Sequence, residues 1–179
     1  MTQAQRYVGP AARYFDDFQL GERLVSQGRT ITQTDGLLWA MYTGDMNPMH
    51  VDHEFAAKHA LFGGAFPPGL MAVAIAQGLK ERMGLGAGTA LAILEHTVRY
   101  KAAVLFGDTI HLELVVSGLK RHATKPRGTV HYAYRIVKGD GSVAIEGEWV
   151  WLFAARGPEV QPLQACDPAS RHGTGSAGP

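Results

Sequence analysis

The chain has 179 residues, of which 46% are hydrophobic, and this length suits one domain with a substantial core plus a tail. It carries 17 basic and 16 acidic residues, a near-neutral balance that argues against general binding to nucleic acid or membrane surfaces. The single cysteine, Cys166, excludes an internal disulfide, and no segment approaches the ~20 apolar residues that span a bilayer. We therefore expect a soluble, cytoplasmic protein that binds neither nucleic acid nor membrane.

The first third of the chain predicts a short strand followed by two helices. The strand is expected at residues 23–26. Thr32 or Thr34 can cap a first helix, and Gly44 is a typical residue to end it. Asp52 can cap a second, shorter helix.

The centre and the last part of the chain predict one long helix and four strands. From Gly69 to Leu79 apolar residues lie on nearly every helical face, which is typical of a buried helix. The glycine-rich stretch 84–88 then interrupts the chain. Alternation with a period of two, which suits antiparallel strands with one covered face, follows at residues 90–101, 109–117, 128–138 and 143–153.

The turn between the first two helices carries a carboxylate and an imidazole. Gly44 permits positive φ and Asn47-Pro48 favours a tight bend, so that Asp45 and His50 can point into one space. A carboxylate and an imidazole that converge on one water form a common acid–base pair. The alternative is that both side chains simply face solvent, which is the commoner outcome for an arbitrary Asp and His at this spacing.

No other motif in the sequence indicates a catalytic or metal site. The eight histidines do not form a metal set, because no cysteine and no His-Glu-x-x-His pattern joins the neighbouring His50 and His53. Trp149 and Trp151 share one face of a late strand and are expected to pack in the core or at an interface.

The turn resembles the signature of the MaoC-like, or (R)-specific enoyl-CoA hydratase, family, which reads Gly-Asp-x-Asn-Pro-(apolar)-His-x-Asp. Its fixed positions are matched here by Gly44, Asp45, Asn47, Pro48, Met49, His50 and Asp52. Similar flanking segments extend the resemblance over about residues 14–154. Two positions depart from it: Pro68 stands where many relatives have His, and Ala103 where many have Pro.

The resemblance implies a single α+β domain of the hot-dog fold, in which an antiparallel sheet wraps around a long central helix. This domain is expected at residues 14–156, after a flexible lead-in at 1–13 and before a disordered tail at 157–179. Members of the family usually pair two sheets edge to edge, so we expect a homodimer.

The resemblance also implies an activity, the (R)-specific hydration of trans-2-enoyl-CoA to 3-hydroxyacyl-CoA and its reversal. Asp45 would activate a water, His50 would transfer its proton, and the backbone N–H of Gly69 would bind the thioester oxygen. No cofactor is expected beyond the coenzyme A of the substrate, and no metal. The turn itself would be supported by Gly44, Asn47, Pro48 and Asp52.

The resemblance places Gln77 at a pocket-lining position of the family and Pro68 next to the expected oxyanion donor, so both are expected to border the acyl group. A stiff wall that lacks backbone donors at Pro67-Pro68, together with the bulk of Gln77, predicts a preference for short to medium acyl chains. The basic segment 120–127 is either a solvated hairpin loop or a contact for the phosphates of coenzyme A. A hot-dog thioesterase and a subunit of a heteromeric hydratase are the alternative functions, and the intact pair of Asp45 and His50 argues against both.

Overall fold

The computed structural model describes residues 12–156 of the chain. After a 3-10 turn at Phe15–Asp17, its elements in chain order are β1 Arg23–Val25, β2 Arg29–Thr30, α1 Gln33–Thr43, α2 Pro48–Val51, α3 His53–His59, α4 Gly69–Arg82, β3 Ala90–Tyr100, β4 Thr109–Arg121, β5 Arg127–Lys138 and β6 Val143–Ala154. Within these residues, no helix is long and apolar enough to cross a membrane.

The six strands form one antiparallel sheet in the order β1-β4-β5-β6-β3, with β2 also paired to β4. This confirms the four predicted long strands. Strand β4 continues to Arg121, beyond the predicted end at residue 117. A register shift between Val116 and Gly118 breaks the alternation there, although pairing with β5 continues. Because of this irregularity, alternation with a period of two does not predict the last residues of β4.

The core lies between the inner face of the sheet and helix α4, the arrangement of the hot-dog fold. Ala72, Ala76 and Leu79 on one side of α4 are at most 2% exposed. The prediction that α4 is buried on nearly every side is wrong, because Leu70 is 56% exposed and Gln77 is exposed as well. In the single chain the sheet covers only one side of the helix.

The N-terminal part of the described chain is tied to the body by ion pairs. The backbone N–H of Arg13 donates to the carbonyl of Leu85 at 2.9 Å, and the Arg13 side chain pairs with Glu22. Asp16 and Asp17 pair with Arg121 and Arg156 respectively. Arg13, the last residue of the predicted lead-in, is therefore held against the body. Most of that lead-in and the predicted tail lie outside the described residues.

A lysine occupies the buried face of α4 in the last turn of the helix. Lys80 is fully buried, and its ammonium lies 3.6 Å from the centroid of the Trp151 ring. It also donates a 2.8 Å hydrogen bond to Glu81. Burial lowers the pKa of Lys80, and the contact with Glu81 only partly counteracts this. The cation is thus held in the core by the Trp151 ring, by the more distant Phe153 ring and by one half-exposed carboxylate.

We expect Lys80→Met to raise the free energy of unfolding at pH 7 by about 1–2 kcal/mol, because a side chain of similar length avoids the desolvation of a charge. The unfolded chain binds a proton more readily than the folded one at this position, so the wild-type protein should gain stability as pH rises towards 10.5. The gain should be smaller in the variant. Urea titrations at pH 7 and pH 9.5 measure both effects, with the exposed Arg82→Met as control. Marked destabilisation by Lys80→Met would show that the ring and Glu81 outweigh the cost of burial.

Candidate active site

Asp45 lies directly after the C-terminal end of helix α1, and this helix has defined caps at both ends. Thr32 caps the start of α1 and forms a reciprocal capping box with Asp35. Gly44 ends the helix in the left-handed conformation at φ 76°, and its N–H donates to Ala40. Asp45 follows at once, half-buried, and its backbone N–H donates to the Thr43 hydroxyl at 3.2 Å.

The residues after Asp45 build a one-turn helix, α2, that carries His50. The side chain of Asn47 accepts a 3.1 Å hydrogen bond from the N–H of Met49, and Pro48 starts the turn. The N–H of His50 donates to the carbonyl of Asn47 at 2.8 Å. Asp52 then caps α3 through the N–H of Phe55 at 2.9 Å. In the structure, Asn47 and Asp52 therefore shape the backbone around His50.

A backbone carbonyl fixes the protonation pattern of the His50 ring. Nδ1 of His50 lies 2.7 Å from the carbonyl oxygen of Phe66, and the two rings meet edge to face at 5.1 Å. A carbonyl oxygen can only accept, so Nδ1 carries the hydrogen. In the neutral ring Nε2 then keeps its lone pair and can act as a base.

The segment that holds His50 leads directly into α4. The N–H of Phe66 approaches the carbonyl of Met49 at 3.4 Å, and Pro67 restricts the backbone of Phe66 that precedes it. Pro68 is the cap residue of α4, and Gly69 is its first helical residue. The N–H of Gly69 has no partner within the helix and lies at its positive end. The contact between His50 and Phe66 thus connects the imidazole to the start of α4.

A cavity of about 400 Å³ opens at the start of α4. Apart from Lys101, its lining residues have no charged side chain: they are Phe62, Phe66, Pro67, Gly69, Tyr100, Lys101, Ala102, Ala103, Val104 and Ile145. A mostly apolar cavity with a free backbone donor at one wall suits an acyl chain that ends in a polar head.

The structure brings only some of the predicted site residues to this cavity. Gly69 lines it, and His50 is joined to it through Phe66, while Asp45 lies in the adjoining turn. Pro68 does not line the cavity; the donor-free wall is formed by Pro67. Gln77 is exposed on α4 and is likewise absent from the cavity lining.

Sequence reasoning missed the aromatic residues that complete the site. Phe66 binds the imidazole through its carbonyl, and Tyr100 lines the cavity beside Gly69. The Pro67-Pro68 pair, which fixes the backbone after Phe66, was a usable signal for the first of them. In residues 12–156 no three His, Cys, Asp or Glu side chains come together to hold a metal ion.

Comparison with known proteins agrees with this architecture. The family model of the MaoC like domain matches residues 17–136. Over 147 residues the chain is 29% identical to the (R)-specific enoyl-CoA hydratase of Rhodospirillum rubrum, a match that covers 80% of this chain and 94% of that protein.

Solved structures show the same fold. R-hydratase PhaJ1 from Pseudomonas aeruginosa superposes with a TM-score of 0.66 at 27% identity, over 80% of this chain and 86% of that one. RV0216 from Mycobacterium tuberculosis, described as a double hotdog fold, gives a TM-score of 0.72 at 19% identity over 94% of this chain and 52% of its own. The family model spans well over half of the chain, and the chain therefore belongs to the MaoC-like dehydratase family.

Proposed function

We propose that the protein hydrates trans-2-enoyl-CoA to (R)-3-hydroxyacyl-CoA and catalyses the reverse dehydration. The observation that carries this proposal is the 2.7 Å contact between Nδ1 of His50 and the carbonyl of Phe66. It leaves Nε2 as a base and fixes the imidazole beside the start of α4. The likeness to an (R)-specific enoyl-CoA hydratase supports the substrate class and the stereochemistry.

In the proposed reaction Asp45 and His50 act on one water. Asp45 accepts a hydrogen bond from the water and orients its oxygen towards the β-carbon. As the oxygen bonds to that carbon, Nε2 of His50 takes a proton, and the resulting imidazolium is stabilised by its Nδ1–H bond to Phe66. Nε2 then returns the proton to the α-carbon, so that one water is added across the double bond.

The backbone N–H of Gly69 donates a hydrogen bond to the thioester oxygen and stabilises the negative charge that develops there. A free N–H at the first position of α4 points out of the helix at its positive end. A donor that is already in place before the reaction stabilises an enolate without reorganisation. The acyl chain then lies in the cavity that begins at Gly69.

Incubation with crotonyl-CoA followed by chiral analysis of the product tests the proposal. The expected product is (R)-3-hydroxybutyryl-CoA. A reaction started from (R)-3-hydroxybutyryl-CoA should reach the same equilibrium mixture of the two thioesters. Formation of the (S) product would contradict the proposed placement of the water. Recovery of unreacted substrate at micromolar enzyme would reject the activity for this thioester.

We further propose that two copies pair through β3. This strand forms one edge of the sheet, and Leu91, Ile93 and Leu94 on it are 43%, 41% and 56% exposed. An unpaired edge with apolar side chains is suited to pairing with a second copy. The match to one half of a double hotdog chain is consistent with such a pair.

We expect light scattering to give the mass of a dimer at micromolar concentration and Leu94→Lys to weaken it at least about tenfold. Leu20, which is 71% exposed, precedes β1 at the opposite edge of the sheet. Leu20→Lys is therefore the matched control and should leave the dimer intact. A monomer mass for the wild-type protein, or equal effects of the two substitutions, would reject pairing through β3.

A further inference from the structure

Tyr100, the last residue of β3, lies directly against the first residue of α4. A Cβ atom placed on Gly69 would be 2.6 Å from Cε1 of Tyr100, 3.1 Å from Cδ1 and 3.2 Å from Cζ. These distances leave room for hydrogen only. Gly69 is not among the described glycines that have positive φ, so the close approach of the ring, and not the backbone conformation, requires glycine here.

Tyr100 also lines the cavity and is accessible from it. In the single chain Tyr100 is 56% exposed, although one edge of the ring is pressed against Gly69. It lines the cavity together with Phe66 and Ile145, and Ile145 is its register partner on β6. The ring therefore forms part of the cavity wall at the point where α4 begins.

We propose that Tyr100 determines specificity at the α-carbon of the acyl chain and excludes substrates that are branched there. The inference rests on the proposed function, in which the thioester oxygen binds the N–H of Gly69 at about 2.9 Å. The α-carbon is attached to the carbonyl carbon that bears this oxygen. It therefore lies beside Gly69, within van der Waals reach of the ring that covers that residue.

A methyl group on the α-carbon would need the space that the Tyr100 ring occupies. The ring cannot retreat towards α4, because Gly69 already touches it. Either the thioester oxygen leaves the N–H of Gly69 or the ring rotates away, and both disfavour the branched substrate. Since the hydroxyl group of Tyr100 makes no side-chain hydrogen bond to the described residues, the ring alone should set this preference.

The test compares crotonyl-CoA with tiglyl-CoA, its α-methyl derivative, in the full-length enzyme. Tyr100→Ala should raise the ratio of kcat/KM for tiglyl-CoA to that for crotonyl-CoA by about tenfold, the effect expected of one accommodated methyl group. Tyr100→Phe keeps the ring and should leave this ratio unchanged. An equal loss on both thioesters in Tyr100→Ala would overturn the proposal.

A double substitution tests the contact itself. Gly69→Ala should lower both the melting temperature and kcat/KM for crotonyl-CoA, and adding Tyr100→Ala should recover at least part of both losses. If Gly69→Ala costs the same with and without the ring, the ring does not exclude a side chain at residue 69, and the proposal falls. A wild-type enzyme inactive on crotonyl-CoA would reject the proposed function and the specificity with it, while recovery of the melting temperature would still report the contact.

Discussion

Replacing His50 with alanine or Asp45 with asparagine is expected to lower kcat by on the order of 10²–10⁴-fold, the range for a lost general acid–base group. The fold should persist. His50 makes one side-chain hydrogen bond within the described chain, to Phe66, and Asp45 is only half-buried. KM should change little, because neither side chain lines the cavity assigned to the acyl chain. Initial rates with crotonyl-CoA and melting temperatures of the purified variants measure both quantities.

His53→Ala is the matched control for the histidine. It lies three residues further on, exposed at the start of α3, and has no place in the proposed reaction. The control should keep the wild-type rate. Near-wild-type hydration by both His50→Ala and Asp45→Asn would show that another pair of groups activates the water.

The second large effect is expected at Gly147, where β6 passes beneath Tyr134. The Tyr134 ring stacks on Trp149 at 4.5 Å, and its hydroxyl donates to the carbonyl of Thr97 at 3.1 Å. The same hydroxyl lies 3.0 Å from Nε2 of His96. These contacts join β5 to the edge strand β3 across β6, and burial raises the pKa of Tyr134 to about 12. The phenol therefore stays neutral and keeps donating at physiological pH.

Gly147→Ala should lower the free energy of unfolding by about 3 kcal/mol, because the new methyl group has no space. Its Cβ would lie 2.0 Å from the Thr97 carbonyl oxygen and 2.8 Å from Cε1 of Tyr134. The displaced strand is β3, so dimer formation should weaken as well. Urea unfolding and light scattering measure the two effects.

Gly118→Ala provides the comparison for a glycine in a strand. A Cβ there would lie 3.4 Å from the nearest atoms of His131, an ordinary contact, so the cost should stay within about 1 kcal/mol. Similar losses at the two positions would show that the sheet relaxes around Gly147, contrary to the proposed rigidity of the link from Tyr134 to Thr97.

The elements with strong local signals were predictable from sequence. Thr32, Gly44 and Asp52 stand at the ends of helices α1 and α3 as expected, because capping depends on residues within one turn. The strands β3 to β6 were confirmed for the same reason, since alternation is a local property. The burial of Lys80 was not predicted, because the Trp151 ring that packs against its ammonium is distant in sequence.

The site was only half predictable. Asp45, His50 and Gly69 stand out because a family signature and a helix start mark them. The contacts that hold them are made between distant parts of the chain: His50 with Phe66, and Gly69 with Tyr100. No periodicity encodes such contacts. The expected role of Gln77 rested on its match to a pocket-lining position of the family, and that of Pro68 on its place before Gly69. Neither feature determines which residues line the cavity.

Two signals followed in one reaction with crotonyl-CoA distinguish hydration of the double bond from hydrolysis of the thioester. Absorbance of the conjugated thioester reports addition of water to the double bond, and a thiol reagent reports release of free coenzyme A. The proposed chemistry at His50 and Gly69 predicts that absorbance falls to an equilibrium value while no thiol appears. With His50→Ala both signals should stay flat over the time that the wild-type enzyme needs to reach equilibrium. Release of thiol at the rate of absorbance loss would contradict the account and identify hydrolysis of the thioester instead.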